Sequence, residues 1–156
     1  MLLAKGPRHN GDALPENDPW NNFLKETFLK GDIIDGILLL TFNGKHAYSH
    51  GELSHVIEDD YTQFVGIFDL GDEHKETHFY QDGFNLRMKN EKDEKEHKFI
   101  IRRKTFHSVY ATSKRNVFGL VVVNLPFGVL VASHHHPITS AVACEFVENA
   151  AELLRM

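Results

Sequence analysis

The stretch Asp18-Pro19-Trp20-Asn21-Asn22-Phe23, which continues through Leu24 to Leu29, predicts the first helix of the chain. Asp18 is suited to cap this helix, and Pro19 at the first helical position has no N–H group to leave unpaired. Gly31 follows at the place where helices commonly end. Apolar residues recur between them at helical spacing, namely Trp20, Phe23, Leu24 and Phe28. The aromatic pair of Trp20 and Phe23 is therefore either core packing or a ligand surface.

Residues 1–17 precede this helix and differ from the rest of the chain in composition. They contain Gly6-Pro7, Asn10-Gly11-Asp12 and Pro15 and few apolar side chains, which predicts a flexible arm. The remaining residues, 18–156, are enough for one domain with a core of its own and too few for two. We expect an N-terminal extension over 1–17 and a single domain over 18–156.

Strand and turn signals follow the first helix. Residues 35–42 (DGILLLTF) form a short apolar run. Asn43-Gly44 is a strong hairpin signal, so residues 45–49 should pair back on that run. Residues 53–68 have apolar spacing that predicts one or two short helices, with Glu58-Asp59-Asp60 as the cap between them.

Beyond Thr77 the pattern is typical of strands. Runs at 78–80, 84–88, 99–104, 105–112, 118–123 and 129–132 are predicted as strands, and the charged segment 89–96 as an exposed hairpin tip. The last runs show little alternation, which indicates strands buried on both faces. Pro137 should begin a closing helix on a strand-to-helix loop that holds His134 to His136. The predicted apolar face of this helix consists of Val142, Phe146, Ala150, Leu153 and Leu154. Its predicted solvent-exposed face consists of Glu145, Glu148, Glu152 and Arg155.

The predicted fold class is α+β: a central antiparallel sheet with the N- and C-terminal helices side by side on one face. Cys144 is the only cysteine, so no intrachain disulfide is possible, which favours a reducing cytoplasm. No apolar run approaches the roughly 20 residues that span a membrane. Residues 1–4 are too short for a signal-peptide core.

Charge is distributed unevenly along the chain. The formal net charge is −5, but residues 1–86 hold 6 Lys/Arg against 15 Asp/Glu, whereas residues 87–156 hold 11 against 7. No acidic residue lies between His97 and Cys144. This basic stretch indicates either a protein or lipid partner with a negative face or a solvated strand face, and both readings stay open. Aromatic and basic residues interleave too thinly to indicate nucleic acid.

The sequence offers no complete catalytic or metal site. His134-His135-His136 is the densest histidine cluster, but consecutive side chains point different ways and no carboxylate or cysteine set completes a metal site. Cys144 on a helix is expected to be a buried, inert thiol. Nucleophile, phosphate-loop and dinucleotide motifs are missing from the sequence. We expect no enzyme activity and no cofactor.

Four segments resemble the profilin family. Trp20-Asn21-Asn22-Phe23 resembles the Trp-x-x-Tyr that opens the first profilin helix. Phe79-Tyr80-Gln81-Asp82-Gly83-Phe84 resembles the segment that enters the middle of the sheet, and Lys98-Phe99-Ile100-Ile101-Arg102 the strand after it. Residues 128–155 resemble the last strand, the actin-facing loop and the C-terminal helix. The extra arm is similar to that of the distant archaeal profilins of the Asgard group.

The resemblance implies a monomeric, cytoplasmic protein of the cytoskeleton that binds monomeric actin and regulates its polymerisation. By position, the actin-binding residues are Arg102, Lys114, His136 and Glu148. Family members also hold proline-rich ligands, which fits the polyproline II preference for flat aromatic surfaces; here the matching residues are Trp20, Phe23 and Tyr48. They also bind acidic phosphoinositides through basic residues, for which the matching set is Arg102, Arg103, Lys104, Lys114 and Arg115.

The chain also departs from the family. Glu152 stands near the place where family members offer a histidine to the proline groove, and the segment 89–96 looks inserted relative to animal profilins. Proline recognition should therefore be reduced, and Pro7 and Pro15 could bring the arm over the groove. The alternative hypothesis is an adaptor module of the longin or roadblock kind, which dimerises or binds a small GTPase. Burial of Trp20 and a dimer formed through a sheet edge would favour that alternative.

Overall fold

The computed structural model describes residues 19–68, 81–89, 93–115 and 117–155. Predictions for the arm, for the Asp18 cap and for the strand over 78–80 fall outside these residues. The side chain of Trp20 also lies outside them, so whether it is buried is not described.

The described elements follow the predicted order. Helix α1 spans Pro19–Leu24 and runs on as a π-helical turn over Lys25–Leu29. Strands β1 (Gly36–Leu40) and β2 (His46–Gly51) form the first hairpin, and two 3₁₀ turns, Glu52–His55 and Glu58–Asp60, lead into α2 (Thr62–Gly66). Five strands and a closing helix complete the domain: β3 (Phe84–Lys89), β4 (Glu94–Lys104), β5 (Ser108–Thr112), β6 (Phe118–Leu125), β7 (Gly128–His135) and α3 (Ser140–Arg155).

All seven strands belong to one sheet of order β2-β1-β7-β6-β5-β4-β3, and every neighbouring pair is antiparallel. Each neighbouring pair in the sheet is consecutive along the chain except β1 and β7, whose pairing brings the two ends of the domain together. The consecutive strands β2 and β3 do not pair and form the two edges of the sheet. The predicted hairpin at Asn43-Gly44 is confirmed, since Gly44 has a φ of 77° and its N–H donates to the carbonyl of Thr41.

Two apolar clusters cover the two faces of the sheet. The first joins Leu24 and Phe28 from the N-terminal helix to Ala143 and Val147 of α3, over one face. This arrangement confirms that both terminal helices pack on the same side. The second cluster covers the other face and is closed by α2 and the 3₁₀ turns, through residues such as Phe64. Strands β6 and β7 contribute to both clusters, as their unbroken apolar runs predicted.

The predicted apolar face of α3 is confirmed for Ala150, and for Phe146 and Leu154 in part, but it was wrong for Val142 and Leu153. The side chains buried against the sheet are Ala143, Val147, Ala150 and Ala151, whereas Val142 and Leu153 are 47% and 57% exposed. Alanines allow the helix backbone to approach the sheet closely, and this close approach turns the larger side chains outward. The helix also begins at Ser140 rather than at Pro137, because Thr139 caps it: its Oγ1 accepts from the N–H of Val142 at 3.3 Å.

Two predictions about charged segments also need correction. Glu58-Asp59-Asp60 is itself a 3₁₀ turn and makes no side-chain cap. Asp60 instead binds Arg87 of β3: its carboxylate accepts from the Arg87 backbone N–H at 2.7 Å and from the guanidinium at 3.0 Å. The charged segment 89–96 is also less of a loop than predicted, since β4 begins at Glu94 and pairs that residue with Lys89.

Candidate functional site

A β-bulge in β4 places two consecutive arginines on one face of the sheet. Ile101 pairs with Ala111 and Arg103 with Tyr110, so Arg102 is the extra residue of the bulge. The Nε–H of Arg102 donates to Thr112 Oγ1 at 2.8 Å, and the guanidinium of Arg103 lies 6.0 Å from the centre of the Tyr110 ring. Both guanidinium groups therefore lie on the helix-bearing face of the sheet.

Glu148 of α3 reaches the same face from the helix side. Its Oε1 accepts hydrogen bonds from Ser108 Oγ–H and, at 3.3 Å, from the Tyr110 hydroxyl. Burial and the nearby Glu148 charge raise the pKa of Tyr110, so the hydroxyl keeps its proton and remains a donor. Arg102, Arg103, Tyr110, Thr112 and Glu148 form one ordered surface beside α3, which we call the charged face.

Lys114 and His136 lie in two loops that meet at one end of the charged face. The N–H of His136 donates to the carbonyl of Val117 at 2.7 Å, and the N–H of Ser113 to the carbonyl of Phe118 at 2.8 Å. The β5–β6 turn and the β7–α3 loop are thereby held side by side. Of the four residues expected to bind actin, Glu148 thus contacts Ser108 and Tyr110 in the first part of β5, and Arg102 contacts Thr112 at its end. Lys114 lies in the turn that follows Thr112, and His136 lies in the loop held beside that turn.

Sequence reasoning missed the β5 side chains of this surface. Ser108, Tyr110 and Thr112 alternate with Val109 and Ala111, so the polar members share one face. That alternation was readable from the sequence. The contact of Ser108 and Tyr110 with a residue 38 or more positions away was not.

The five basic residues expected to bind phosphoinositides do not form a single patch. Lys104 pairs with Val109, whose side chain belongs to the cluster on the other face of the sheet. Lys114 and Arg115 lie in the turn after β5, about 17 Å along the strand from Val109 at the usual rise per residue. Arg102 is held at Thr112, the end of β5 that leads into the turn with Lys114 and Arg115, so Lys104 is the member of the set that lies on the other face of the sheet.

The residues expected to bind proline-rich ligands are only partly accessible at the protein surface. Phe23 is 36% exposed on α1. Tyr48 is 1% exposed and packs in the cluster that holds Leu24 and Phe28, and burial raises its pKa. A ligand could stack on Tyr48 only after that ring is uncovered. Glu152 is exposed on α3 and accepts from the Arg155 guanidinium at 2.9 Å.

The histidines do not assemble into a metal centre in the described part of the chain. His134 and His135 lie in β7 rather than in the loop expected, and no group of three or more His, Cys, Asp or Glu residues is arranged to hold an ion there. His135 binds the Asp35 carboxylate, which also accepts from Ser133 Oγ–H. Cys144 is half-buried, and burial raises its pKa to about 11, so it is a poor nucleophile.

His134 should make the protein less stable in mild acid. The residue is 4% exposed, and burial lowers its pKa below the ordinary 6.5; Asp35 opposes this effect and His135 adds to it. Below about pH 6.5 the unfolded chain binds a proton at this site that the folded chain does not, so stability falls with a slope of up to about 1.4 kcal/mol per pH unit. Urea unfolding between about pH 7.5 and about pH 5.5 measures this loss.

The matched variant for this measurement is His134→Gln, which keeps a polar side chain but cannot titrate. Its stability should depend less steeply on pH over the same interval, because the remaining histidines are common to both proteins. Equal slopes in the two proteins would show that His134 is not the group responsible.

No helix among the residues described is both long and apolar enough to cross a membrane.

Comparison with known proteins gives matches at the level of structure alone. No protein-family model matches the chain, and no curated protein sequence does. Acanthamoeba castellanii profilin II is 16% identical with a TM-score of 0.68, over 86% of this chain and 95% of that one. Schizosaccharomyces pombe profilin is 15% identical with a TM-score of 0.69, over 86% and 95%. LokiProfilin1, solved in complex with rabbit actin, is 13% identical with a TM-score of 0.62, over 92% and 98%.

The chain therefore has the profilin fold. The resemblance drawn from four sequence segments is confirmed by these structures, as is the α+β architecture. At such low identity the likeness concerns the fold, and what the chain binds has to be argued from its own surface.

Proposed function

We propose that this protein binds monomeric actin through the charged face and regulates actin polymerisation. The observation that carries the proposal is the arrangement of Arg102, Arg103 and Tyr110 against Glu148 of α3, continued by the loops that hold Lys114 and His136. The same fold occurs in LokiProfilin1, which was solved in complex with rabbit actin. On this proposal the protein is a binding protein and not an enzyme, and it acts in the cytoplasm.

The charged face is ordered before any partner binds. Arg102 is held by Thr112, and Glu148 is held by Ser108 and Tyr110. Side chains that are already fixed lose less conformational entropy on association than free ones. Charges of both signs lie close together on this face, which favours one orientation of a partner with the complementary pattern.

Charge reversal at Arg102 should weaken actin binding by about tenfold or more, because the residue supplies an exposed cation that Thr112 already holds in place on the proposed interface. The measurement is the dissociation constant for monomeric actin, together with the rate of actin polymerisation in the presence of the protein. The variant is Arg102→Glu, and Glu148→Lys provides a second test from the helix side. Lys95→Glu is the matched control, since it reverses an exposed charge near the other end of the same strand.

Wild-type protein that neither binds actin nor alters its polymerisation would contradict the proposal. Equal losses for Arg102→Glu and Lys95→Glu would show that net charge, and not the charged face, determines binding. If the protein forms a stable dimer and does not bind actin, the adaptor hypothesis replaces this one. Analytical ultracentrifugation measures the oligomeric state.

We also propose weak recognition of proline-rich segments at the N-terminal helix. Mouse profilin IIa, which shares the fold with a TM-score of 0.61 at 10% identity, was solved with a double repeat from the FH1 domain of mDia1. Phe23 offers an exposed ring here, but Tyr48 is buried, so part of the expected ligand surface is covered. Titrating a proline-rich peptide while following Trp20 fluorescence, with and without residues 1–17, tests both recognition and gating by the arm.

A further inference from the structure

A cleft opens on the face of the sheet that carries the second apolar cluster. Its outer chamber, of about 210 Å³, lies between the 3₁₀ turn Glu52–His55 and the β3–β4 hairpin. Its inner chamber, of about 80 Å³, reaches down to the strands of the sheet. Glu52, Met88 and His97 line both chambers, so the two form one continuous space, which we call the hairpin cleft.

The inner chamber of the hairpin cleft is mainly apolar. Phe99 and Leu120 line it from within the second cluster, where both are buried, and Met88 packs against that cluster. The hydroxyl of Ser133, which also lines the chamber, donates to the carboxylate of Asp35. That polar pair is satisfied within the protein and does not require a partner from a ligand.

The imidazole of His134 is directed away from the cleft, although the residue borders the inner chamber. His134 pairs with Gly119 across the β6–β7 ladder, and its ring lies where a Cβ on Gly119 would stand. Both residues alternate with Ser133 and Leu120 along their strands, so the ring lies on the helix-bearing face. The inner chamber is therefore suited to a group that forms no hydrogen bonds.

The outer chamber brings charges of both signs to the entrance of the inner one. Glu52 lines both chambers, and Lys89 and Lys95 line the outer one. All three side chains are exposed, and none forms an ion pair with another residue that the structure describes. Lys95 pairs with Met88 across the β3–β4 ladder, which places both side chains on the cleft face. A carboxylate and an ammonium group are thus available to a ligand at the entrance.

The two walls of the hairpin cleft are joined by backbone pairing. Val56, directly after the 3₁₀ turn, forms a bridge with Met88 of β3. The N–H of Ile57 donates to the carbonyl of Arg87 at 2.9 Å. The turn and the hairpin are therefore held at a fixed separation, and a ligand would enter a cleft that is already formed.

The volume of the inner chamber indicates which apolar group it can hold. An apolar cavity of about 150 Å³ accommodates benzene. A chamber of about 80 Å³ is too small for an aromatic ring and suits a branched aliphatic group such as isobutyl.

We propose that the hairpin cleft binds a free α-amino acid with a branched aliphatic side chain. The side chain fills the inner chamber, the ammonium group of the ligand faces Glu52, and its carboxylate faces Lys95. A zwitterion matches an entrance that offers both signs of charge, whereas a ligand of one sign leaves the opposite group unmatched. The cleft and the charged face lie on opposite faces of the sheet, so this binding goes beyond the proposed actin binding and does not depend on it.

The test is titration of the full chain with L-leucine, followed by amide chemical shifts in ¹H–¹⁵N correlation spectra. Saturable shifts are expected at Met88, Phe99 and Leu120, with a dissociation constant of about 1 mM for so small a ligand. Two analogues each lack one charge: 4-methylpentanoate lacks the ammonium group and 3-methylbutylamine lacks the carboxylate. Each should bind about threefold more weakly than L-leucine, because one exposed ion pair is lost.

Variants at the entrance assign each charge of the ligand to its partner. Glu52→Gln should remove the preference for L-leucine over 4-methylpentanoate, and Lys95→Gln the preference over 3-methylbutylamine. The matched controls are Glu58→Gln and Lys98→Gln. Both neutralise exposed charges outside the cleft, and Lys98 alternates with His97 and so lies on the other face of β4. Unfolding curves confirm that each variant keeps the fold.

The proposal is overturned if L-leucine gives no saturable shift or if the shifts map to the charged face. It is also overturned if both analogues bind as tightly as L-leucine, or if the control variants change the preference as much as Glu52→Gln and Lys95→Gln do. Actin is absent from this titration, so a negative result leaves the proposed actin binding untouched.

Discussion

Replacing Gly51 with Ala is expected to destabilise the fold by at least about 3 kcal/mol, because the change adds both backbone strain and a steric overlap. Gly51 has φ 71° and ψ −145°, a conformation that is essentially restricted to glycine. A Cβ at this position would lie 2.1 Å from the carbonyl oxygen of Asp35. That oxygen also accepts the N–H of Glu52, and Gly51 pairs with Gly36 across the β1–β2 ladder. The backbone therefore cannot move aside without disturbing the sheet.

Gly31→Ala provides the control for this prediction. Gly31 also has a positive φ, of 90°, but a Cβ there would meet no atom within 4 Å. Gly31→Ala should lower the free energy of unfolding by about 1 kcal/mol, which is the cost of holding an alanine at a positive φ. Urea unfolding of both variants separates strain from overlap, and similar losses at the two positions would contradict the role given to the Asp35 carbonyl.

The second large effect is expected at Gly119, where β6 passes under the ring of His134. A Cβ on residue 119 would lie 2.2 Å from His134 Nε2, and His134 itself is 4% exposed. Gly119→Ala should therefore cost about 3 kcal/mol, at the upper end of the range for overpacked cores. The buried imidazole cannot swing into solvent without unpacking the loop above it, which is tied to His135 by the N–H of Ile138 at 3.0 Å.

A double-mutant cycle isolates this contact. His134→Ala alone loses a buried ring and is destabilising, but in its background the added methyl group of Gly119→Ala meets open space. The double variant should therefore be more stable than the sum of the two single losses predicts, by about 2 kcal/mol of coupling. Additive losses in urea unfolding would show that the ring and the strand do not constrain each other.

Much of the fold could be predicted because its signals are local. Asn43-Gly44 specifies a turn with positive φ, and the observed hairpin has it. The unbroken apolar runs of β6 and β7 predicted strands covered on both faces. Helical spacing in the first and last segments predicted the two terminal helices, and their packing on one face follows from the need to cover that side of the sheet.

The candidate site was less predictable because it depends on register and on close packing. The side chains of Arg102 and Arg103 share a face only because of a β-bulge. The residue types of β4 give no signal that predicts this bulge. Tyr48 was expected at a ligand surface, but β2 presents it to the cluster of Leu24 and Phe28, where it is buried. On α3, apolar spacing alone did not show that alanines would face the sheet and turn Val142 outward.

The bulge in β4 has a consequence for how this surface can vary. In a regular strand, two consecutive arginines would lie on opposite faces, and one of them would enter the layer where Ile101 packs against Ala111. One additional residue in the strand keeps both guanidinium groups in water while Ile101 stays buried. Insertions or deletions in β4 would exchange an inward side chain for an outward one, whatever its chemical type. The length of this strand is thus constrained as strictly as its composition.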